Sequence, residues 1–153
     1  MFNKISIIGC GLIGSSILRA VEEKKLASKI SAFDKSSKVT DYLKKNFSAE
    51  ICSNLSDVVK DSDLIIIASP LSSYKEILLS IQSNLKENVI LTDTGSAKKE
   101  VNKIISNFNF KNVHWIASHP IAGTEYSGPE AGSSSLFKNR WCIISADKKV
   151  SED

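Results

Sequence analysis

Three short runs hold the groups that could do chemistry: Gly9-Cys10-Gly11-Leu12-Ile13-Gly14, Asp93-Thr94-Gly95-Ser96-Ala97-Lys98 and His119-Pro120-Ile121-Ala122-Gly123-Thr124-Glu125. The first has the GxGxxG spacing. Glycines placed this way allow a tight turn at Gly9, a close approach of a diphosphate to the backbone at Gly11, and close packing of a helix on a strand at Gly14. The helix that opens there offers unpaired N–H groups and a partial positive charge to the phosphates. Asp34 stands twenty residues beyond Gly14, where an acid can hold the ribose of a dinucleotide. A carboxylate there accepts bonds from both ribose hydroxyls and repels a 2′-phosphate, so the expected cofactor is NAD rather than NADP. Lys35, Ser36 and Ser37 follow at once and could soften that repulsion. The plainer alternative is a glycine turn that only packs a helix, with Asp34 capping the next one.

The other two runs follow strand-like segments. Ser96 suits the N-cap of a helix, and on side-chain preference alone that reading outweighs a functional one. Its hydroxyl would also face the cleft where a nicotinamide should lie. His119 sits at the carboxyl end of a strand, and Pro120 biases it to an extended backbone. Taking a hydride from a C–OH carbon requires an acceptor for the hydroxyl proton, and imidazole titrates near neutrality. A lone histidine is more often structural. His114, at the other end of the same strand, is given that reading. A further turn, Ser69-Pro70-Leu71, should flank the cofactor, with Ser72 or Ser73 as helix cap in the plainer reading. The expected cofactor-binding set is thus Gly9, Gly11, Leu12, Ile13, Gly14, Asp34, Lys35, Ser69, Pro70, Leu71 and Asp93.

These runs must be positioned by an alternation of strands and helices. Short apolar runs at 5–8, 29–33, 49–52, 63–68, 89–92, 114–118 and 141–145 predict strands. Helix-period stretches at 12–24, 37–46, 72–85 and 97–108 lie between them, with a helical turn or two at 55–60. Residues 63–68 are apolar on both faces, as a central parallel strand requires. The pattern predicts an α/β fold: a Rossmann-type, doubly wound, mostly parallel sheet with helices on both faces. Ligands on such sheets bind beyond the carboxyl ends of the strands, where all three runs fall. Residues 123–135 form a Gly/Ser-rich loop.

The 153 residues, 42% apolar and 24% charged, suit one globular domain. A net charge of +3 is too mild to suggest nucleic acid or an anionic membrane. No apolar run approaches the length of a transmembrane span, and the first residues do not resemble a secretory leader. Cys10, Cys52 and Cys142 are odd in number and lack metal spacing, so free thiols, no metal and a cytoplasmic setting are expected.

Taken in order, GxGLxGxS from Gly9 to Ser16, DxGSxK from Asp93 to Lys98 and HPxAGxE from His119 to Glu125 resemble the prephenate/arogenate dehydrogenases of tyrosine biosynthesis. The resemblance covers essentially the whole chain. It implies NAD-dependent oxidative decarboxylation of prephenate to 4-hydroxyphenylpyruvate, or of arogenate to tyrosine. It implies that His119 bonds the ring hydroxyl and helps take its proton. Ser96 would bond the same hydroxyl and steady the histidine and nicotinamide. Thr124 and Glu125 would line the mouth of the substrate cleft. Members of the family continue into a helical domain that dimerises and supplies an arginine for a substrate carboxylate. Neither Arg19 nor Arg140 obviously replaces it. The expectation is therefore that residues 1–153 are the dinucleotide-binding domain alone. The full-length enzyme would be a homodimer, and this chain by itself would bind NAD but turn over poorly or not at all. Three alternatives remain at this point: another hydroxy-acid dehydrogenase, a non-catalytic NAD-binding module, and a structural domain without a ligand.

Overall fold

Residues 1–146 are described by the computed structural model; the last residues of the expected domain, 147–153, lie outside them. In chain order the elements are β1 (Phe2–Ile8), α1 (Leu12–Glu23), β2 (Ala27–Phe33), α2 (Ser37–Asn46), β3 (Glu50–Ile51), α3 (Leu55–Val59), β4 (Leu64–Ile67), α4 (Tyr74–Ile81), β5 (Val89–Asp93), α5 (Lys98–Ile105), β6 (Val113–Pro120) and β7 (Cys142–Ala146). They form one seven-stranded sheet in the order β3-β2-β1-β4-β5-β6-β7. Every pairing is parallel except β6 with β7. This is the expected Rossmann-type architecture, and the order reverses between β1 and β4, where a crevice must open at the carboxyl edge.

The core lies in two layers because strand side chains alternate. In β4, Ile65 and Ile67 face one side and Ile66 the other, which is why the whole strand is apolar. Ile65 and Ile67 pack with Val58 of α3, Tyr74 and Leu78 of α4 and Val101 of α5. Ile66 packs with Ile5, Ile7, Leu18 and Val21 of β1 and α1 and Leu43 of α2.

Several element ends differ from expectation for local reasons. β1 begins at Phe2 because residues 2–4 gain backbone partners from Ala27–Phe33 whatever their polarity. α4 is flanked by 3-10 turns at Leu71–Ser73 and Gln82–Asn84, the first opened by Pro70. α5 stops at Ile105 because the Ser106 hydroxyl and Asn107 side-chain amide donate to the Lys103 carbonyl at 2.9 and 2.7 Å.

Residues 121–141, between β6 and β7, contain only a 3-10 turn at Pro129–Ala131. This segment is tied to α1. Arg19 donates from Nε to the Gly132 carbonyl and from Nη2 to the Pro129 carbonyl, both at 3.0 Å. Ser16 Oγ accepts from Ser133 N at 3.0 Å. The Arg19 guanidinium also reaches Tyr42 Oη at 2.9 Å and stacks 4.7 Å above the Phe47 ring. The segment that leaves His119 is thus fastened to the helix that follows the glycine turn. Among the described residues no helix is long and apolar enough to cross a membrane, and no three His, Cys, Asp or Glu side chains gather as a metal site.

Candidate functional site

The glycine turn joins β1 to α1 at the crevice. Gly9 has φ +89°, and a Cβ there would stand 2.4 Å from Ser69 Oγ and 2.8 Å from Ser69 N. A Cβ at Gly14 would stand 1.9 Å from the Gly9 carbonyl oxygen, so the third glycine lets the helix lie on the turn. Gly11 is different. A Cβ there would meet nothing within 4 Å. It is the N-cap of α1 and has no side chain to cap with. The first N–H of the helix to bond within it is that of Ser15, to the Gly11 carbonyl. The N–H groups of Leu12, Ile13 and Gly14 therefore have no helical acceptor and open toward that space. Groups placed this way can hold an anion.

Asp34 ends β2 beside it. Its Oδ2 accepts from Cys10 N at 2.7 Å and its Oδ1 from Ser36 N at 2.9 Å. It does not cap α2, since Ser36 Oγ does that by accepting from Val39 N. The carboxylate is held on the turn itself, and each oxygen keeps lone-pair capacity for another donor. A cavity of about 380 Å³ opens here, lined by Gly9, Gly11, Asp34, Lys35, Ser69 and Pro70, with Phe33, Leu55 and Ile77 as its apolar wall. Leu12 and Ile13 do not line it. Leu71 does not either; it is half-buried in the 3-10 turn after Pro70, with its side chain packed against the core. Two larger concavities, of about 620 and 600 Å³, lie at the amino-terminal edge of the sheet and hold none of the candidate residues. Burial first, and then the Asp34 charge, push the Cys10 thiol up to about 12, so it is no nucleophile.

At β5, Asp93, expected among the cofactor-binding residues, is fully buried. Its carboxylate takes Lys98 Nζ at 2.5 and 2.6 Å, Tyr74 Oη at 3.2 Å, Gly95 N at 3.0 Å and Ser118 N at 3.2 Å. Burial, followed by the Asp93 charge, raises the Tyr74 phenol well above its ordinary value, so it stays a donor. The carboxylate ties α4, the turn after β5 and the end of β6 together.

Ser96 is exposed and does not cap α5. The N-cap is Ala97, without a side-chain bond, because Asp93 already holds the turn. The Ser96 hydroxyl bonds nothing among the described residues. His119 is half-buried, with Nδ1 3.3 Å from the Thr94 carbonyl oxygen, so it lies against the same turn as Ser96. His119 is within β6 rather than just after it, because β7 extends the pairing (His119 opposite Ile143, Pro120 opposite Cys142). His114, exposed, stands at the far end of the strand. Thr124 and Glu125 are exposed on the following loop. The Thr124 hydroxyl accepts from Tyr126 N at 3.2 Å, and neither residue bonds to His119 or Ser96. Sequence reasoning missed Arg19, Ser16 and Tyr74 as holders of this site. The serine that ends GxGLxGxS was the available signal for one of them.

The comparisons with known proteins concern the family and the fold. The family model described as the nucleotide-binding domain of prephenate dehydrogenase matches residues 17–153. The glycine turn lies upstream of that span and stands on its geometry. The cyclohexadienyl dehydrogenase of Zymomonas mobilis is 36% identical over 148 residues, covering 96% of this chain and 50% of that protein. The prephenate dehydrogenase of Lactococcus lactis is 32% identical over 148 residues, covering 95% of this chain and 42% of that one. The crystal structure of prephenate dehydrogenase from A. aeolicus with hydroxyphenyl propionate and NAD+ shares the fold, with a TM-score of 0.78 at 23% identity over 99% of this chain and 53% of that one. The chain thus spans half or less of the length of these sequence relatives. From the extent of the family match, this chain belongs to the prephenate dehydrogenase family, whose nucleotide-binding domain it represents.

Proposed function

We propose that the chain is the NAD-binding domain of an enzyme that oxidatively decarboxylates prephenate, arogenate or both. The observation that carries the reading is that the carboxyl edge of one sheet bears two kinds of equipment: free helix N–H groups with a fixed Asp34 after β1 and β2, and His119 with the Ser96 turn at the ends of β6 and β5. The residues fit the coenzyme. The free N–H groups of Leu12, Ile13 and Gly14 suit a diphosphate, and the open side of Gly11 leaves room for it. Asp34 is pinned by two backbone N–H groups and cannot swing aside from a 2′-phosphate, which favours NAD over NADP. Lys35, Ser69 and Pro70 complete the adenosine side of the cavity.

Bound NAD supplies the hydride acceptor. The chain's own residues handle the hydroxyl. His119 accepts the hydroxyl proton as the ring carbon gives up its hydride, and Ser96 bonds the same oxygen and keeps it in line. The substrate's ring carboxylate leaves as CO2, and its bonding pair enters the ring, which becomes aromatic. Thr124 and Glu125 flank the entrance. Binding of the substrate carboxylates, closure against water and dimerisation are assigned to the remainder of a longer enzyme, so this chain alone should turn over little.

Calorimetric titration of the 153-residue chain with NAD+ and NADP+ tests the first half of the reading: NAD+ should bind and NADP+ bind more weakly, and a chain that binds neither sinks it. In a version carrying the rest of the enzyme, His119→Asn should abolish turnover of prephenate and arogenate while leaving NAD+ affinity intact.

A further inference from the structure

His119 is held by a backbone group, and that group is itself held. Its Nδ1 lies 3.3 Å from the Thr94 carbonyl oxygen. A carbonyl oxygen accepts and cannot donate, so this bond needs the ring proton on Nδ1 and leaves Nε2 as the bare nitrogen. The Thr94 carbonyl and the Gly95 N–H belong to one peptide unit, and a trans peptide points them in opposite directions. That N–H donates to Asp93 Oδ2 at 3.0 Å. One planar group is therefore gripped at both ends, by the carboxylate and by the imidazole. The second carboxylate oxygen accepts from Ser118 N, adjacent to His119, at 3.2 Å. The Ser118 hydroxyl returns a bond to the Asp93 carbonyl at 2.6 Å. Lys98 supplies the counter-charge on both carboxylate oxygens, and Asp93 has no solvent to turn toward.

We propose that Asp93 is a positioning residue that sets the tautomer of His119 through the Thr94–Gly95 peptide. A side chain that must take a hydroxyl proton has to present a lone pair. The carboxylate orients the peptide, the peptide carbonyl takes the Nδ1 proton, and Nε2 is left as the acceptor. The positively polarised end of the peptide meets the carboxylate and its negative end meets the ring, so the arrangement does through one amide what a carboxylate bonded directly to imidazole does elsewhere. The value of this tautomer rests on the reading of His119 as proton acceptor; its existence does not.

The test uses the 153-residue chain labelled with nitrogen-15, at a pH of about 8 where an ordinary imidazole is neutral. Long-range proton–nitrogen correlation spectra report which ring nitrogen carries the proton. The chain has two histidines, and exposed His114 is the internal control. We expect His119 to be a single tautomer protonated on Nδ1 and His114 to show the exchange-averaged pattern. Asp93→Asn should move His119 toward the His114 pattern while the β1 and β2 amide signals stay in place. A wild-type His119 protonated on Nε2, or averaged, overturns the proposal. So does a folded Asp93→Asn chain that keeps the pure Nδ1 tautomer. Should that variant not fold, coupling across the hydrogen bond from Gly95 N to the Asp93 carboxyl carbon, measured in the wild-type chain, decides: its presence supports the link and its absence overturns it. None of these readouts needs coenzyme or substrate, so failure to bind NAD+ would sink the functional reading and leave this one intact.

Discussion

The two ends of the sheet's carboxyl edge are built by opposite means. Over β1 and β2 the seat is made of backbone: three glycines, free helix N–H groups, and a carboxylate whose own partners are the N–H groups of Cys10 and Ser36. Over β5 and β6 it is made by a buried side chain, Asp93, that gathers partners from α4, α5 and β6, next to the turn and strand end that carry exposed Ser96 and half-buried His119. The first end is local in sequence and tolerates little change in shape. The second is assembled from distant residues and tolerates little change in charge. Removing either kind of support should therefore fail differently.

The largest effect is expected at the second end. Lys98→Met keeps the stem that packs there but leaves the fully buried Asp93 carboxylate without its counter-charge. Breaking a buried pair from one side costs about 3–5 kcal/mol, so the urea midpoint of the chain should fall steeply. A midpoint within experimental error of wild type would show that Tyr74, Gly95 N and Ser118 N suffice for the carboxylate, and the contrast between the two ends would be lost.

Shape is tested next, by two glycines three residues apart. Gly14→Ala drives a Cβ against the Gly9 carbonyl and should cost about 1–3 kcal/mol or more of stability, as overpacking does. Gly11→Ala meets nothing and should leave stability unchanged. On the proposed reading it fills the space for the diphosphate and should lower NAD+ affinity by about tenfold, equivalent to about 1.4 kcal/mol. Denaturation curves and titrations of both variants separate the roles. If Gly11→Ala bound NAD+ like the wild type, the open side of the turn would not be where the phosphates sit.

The same contrast explains what could be read from the amino-acid sequence. The glycine turn, Asp34 and β4 were legible because their causes are short-range: a fixed spacing, an acid at a strand end, four apolar residues in a row. Ser96 looked like a helix cap because serine prefers caps. That preference acts where nothing else holds the turn, and here Asp93 and Lys98 do. Asp93 lies in the same short run as Ser96, which suggests a place beside the cofactor; its burial depends on Tyr74 and Ser118, which no local pattern links to it. Arg19 had no assigned purpose because its acceptors, the Pro129 and Gly132 carbonyls, lie over a hundred residues away. The two residues added at the carboxyl end of β6, His119 and Pro120, come from pairing with β7 across a loop whose path the spacing does not reveal.

Alkaline titration should touch both ends together. The Cys10 thiol is raised to about 12 by burial and then by Asp34, and the Tyr74 phenol is raised by burial and then by Asp93. Between the ordinary thiol value near 9 and about 12, the unfolded chain loses the Cys10 proton while the folded chain keeps it. The unfolded state then binds fewer protons, so stability is complete below pH 9 and declines as the pH rises through that window. Urea midpoints measured from pH 8 to 11 should fall monotonically. A flat profile would mean that the turn admits water at Cys10.

The smallest effect, and the one that reads the two ends separately, is the rate of thiol labelling. Cys142, exposed on β7, should react with a neutral alkylating reagent at the rate of a free thiol, while Cys52 and Cys10 are buried. Cys10 can be labelled only when the glycine turn opens, so its slow rate measures the free energy of that local opening. A ligand that binds the closed turn and not the open one must slow the reaction in proportion to its saturation. NAD+ should therefore protect Cys10 further and leave the Cys142 rate unchanged, since Cys142 sits on the far side of β6 from the diphosphate cradle. Equal protection at both thiols would mean that the coenzyme tightens the sheet as a whole. Arg19, which fastens the segment after His119 to α1, would then be the first link to cut in asking how the two ends communicate.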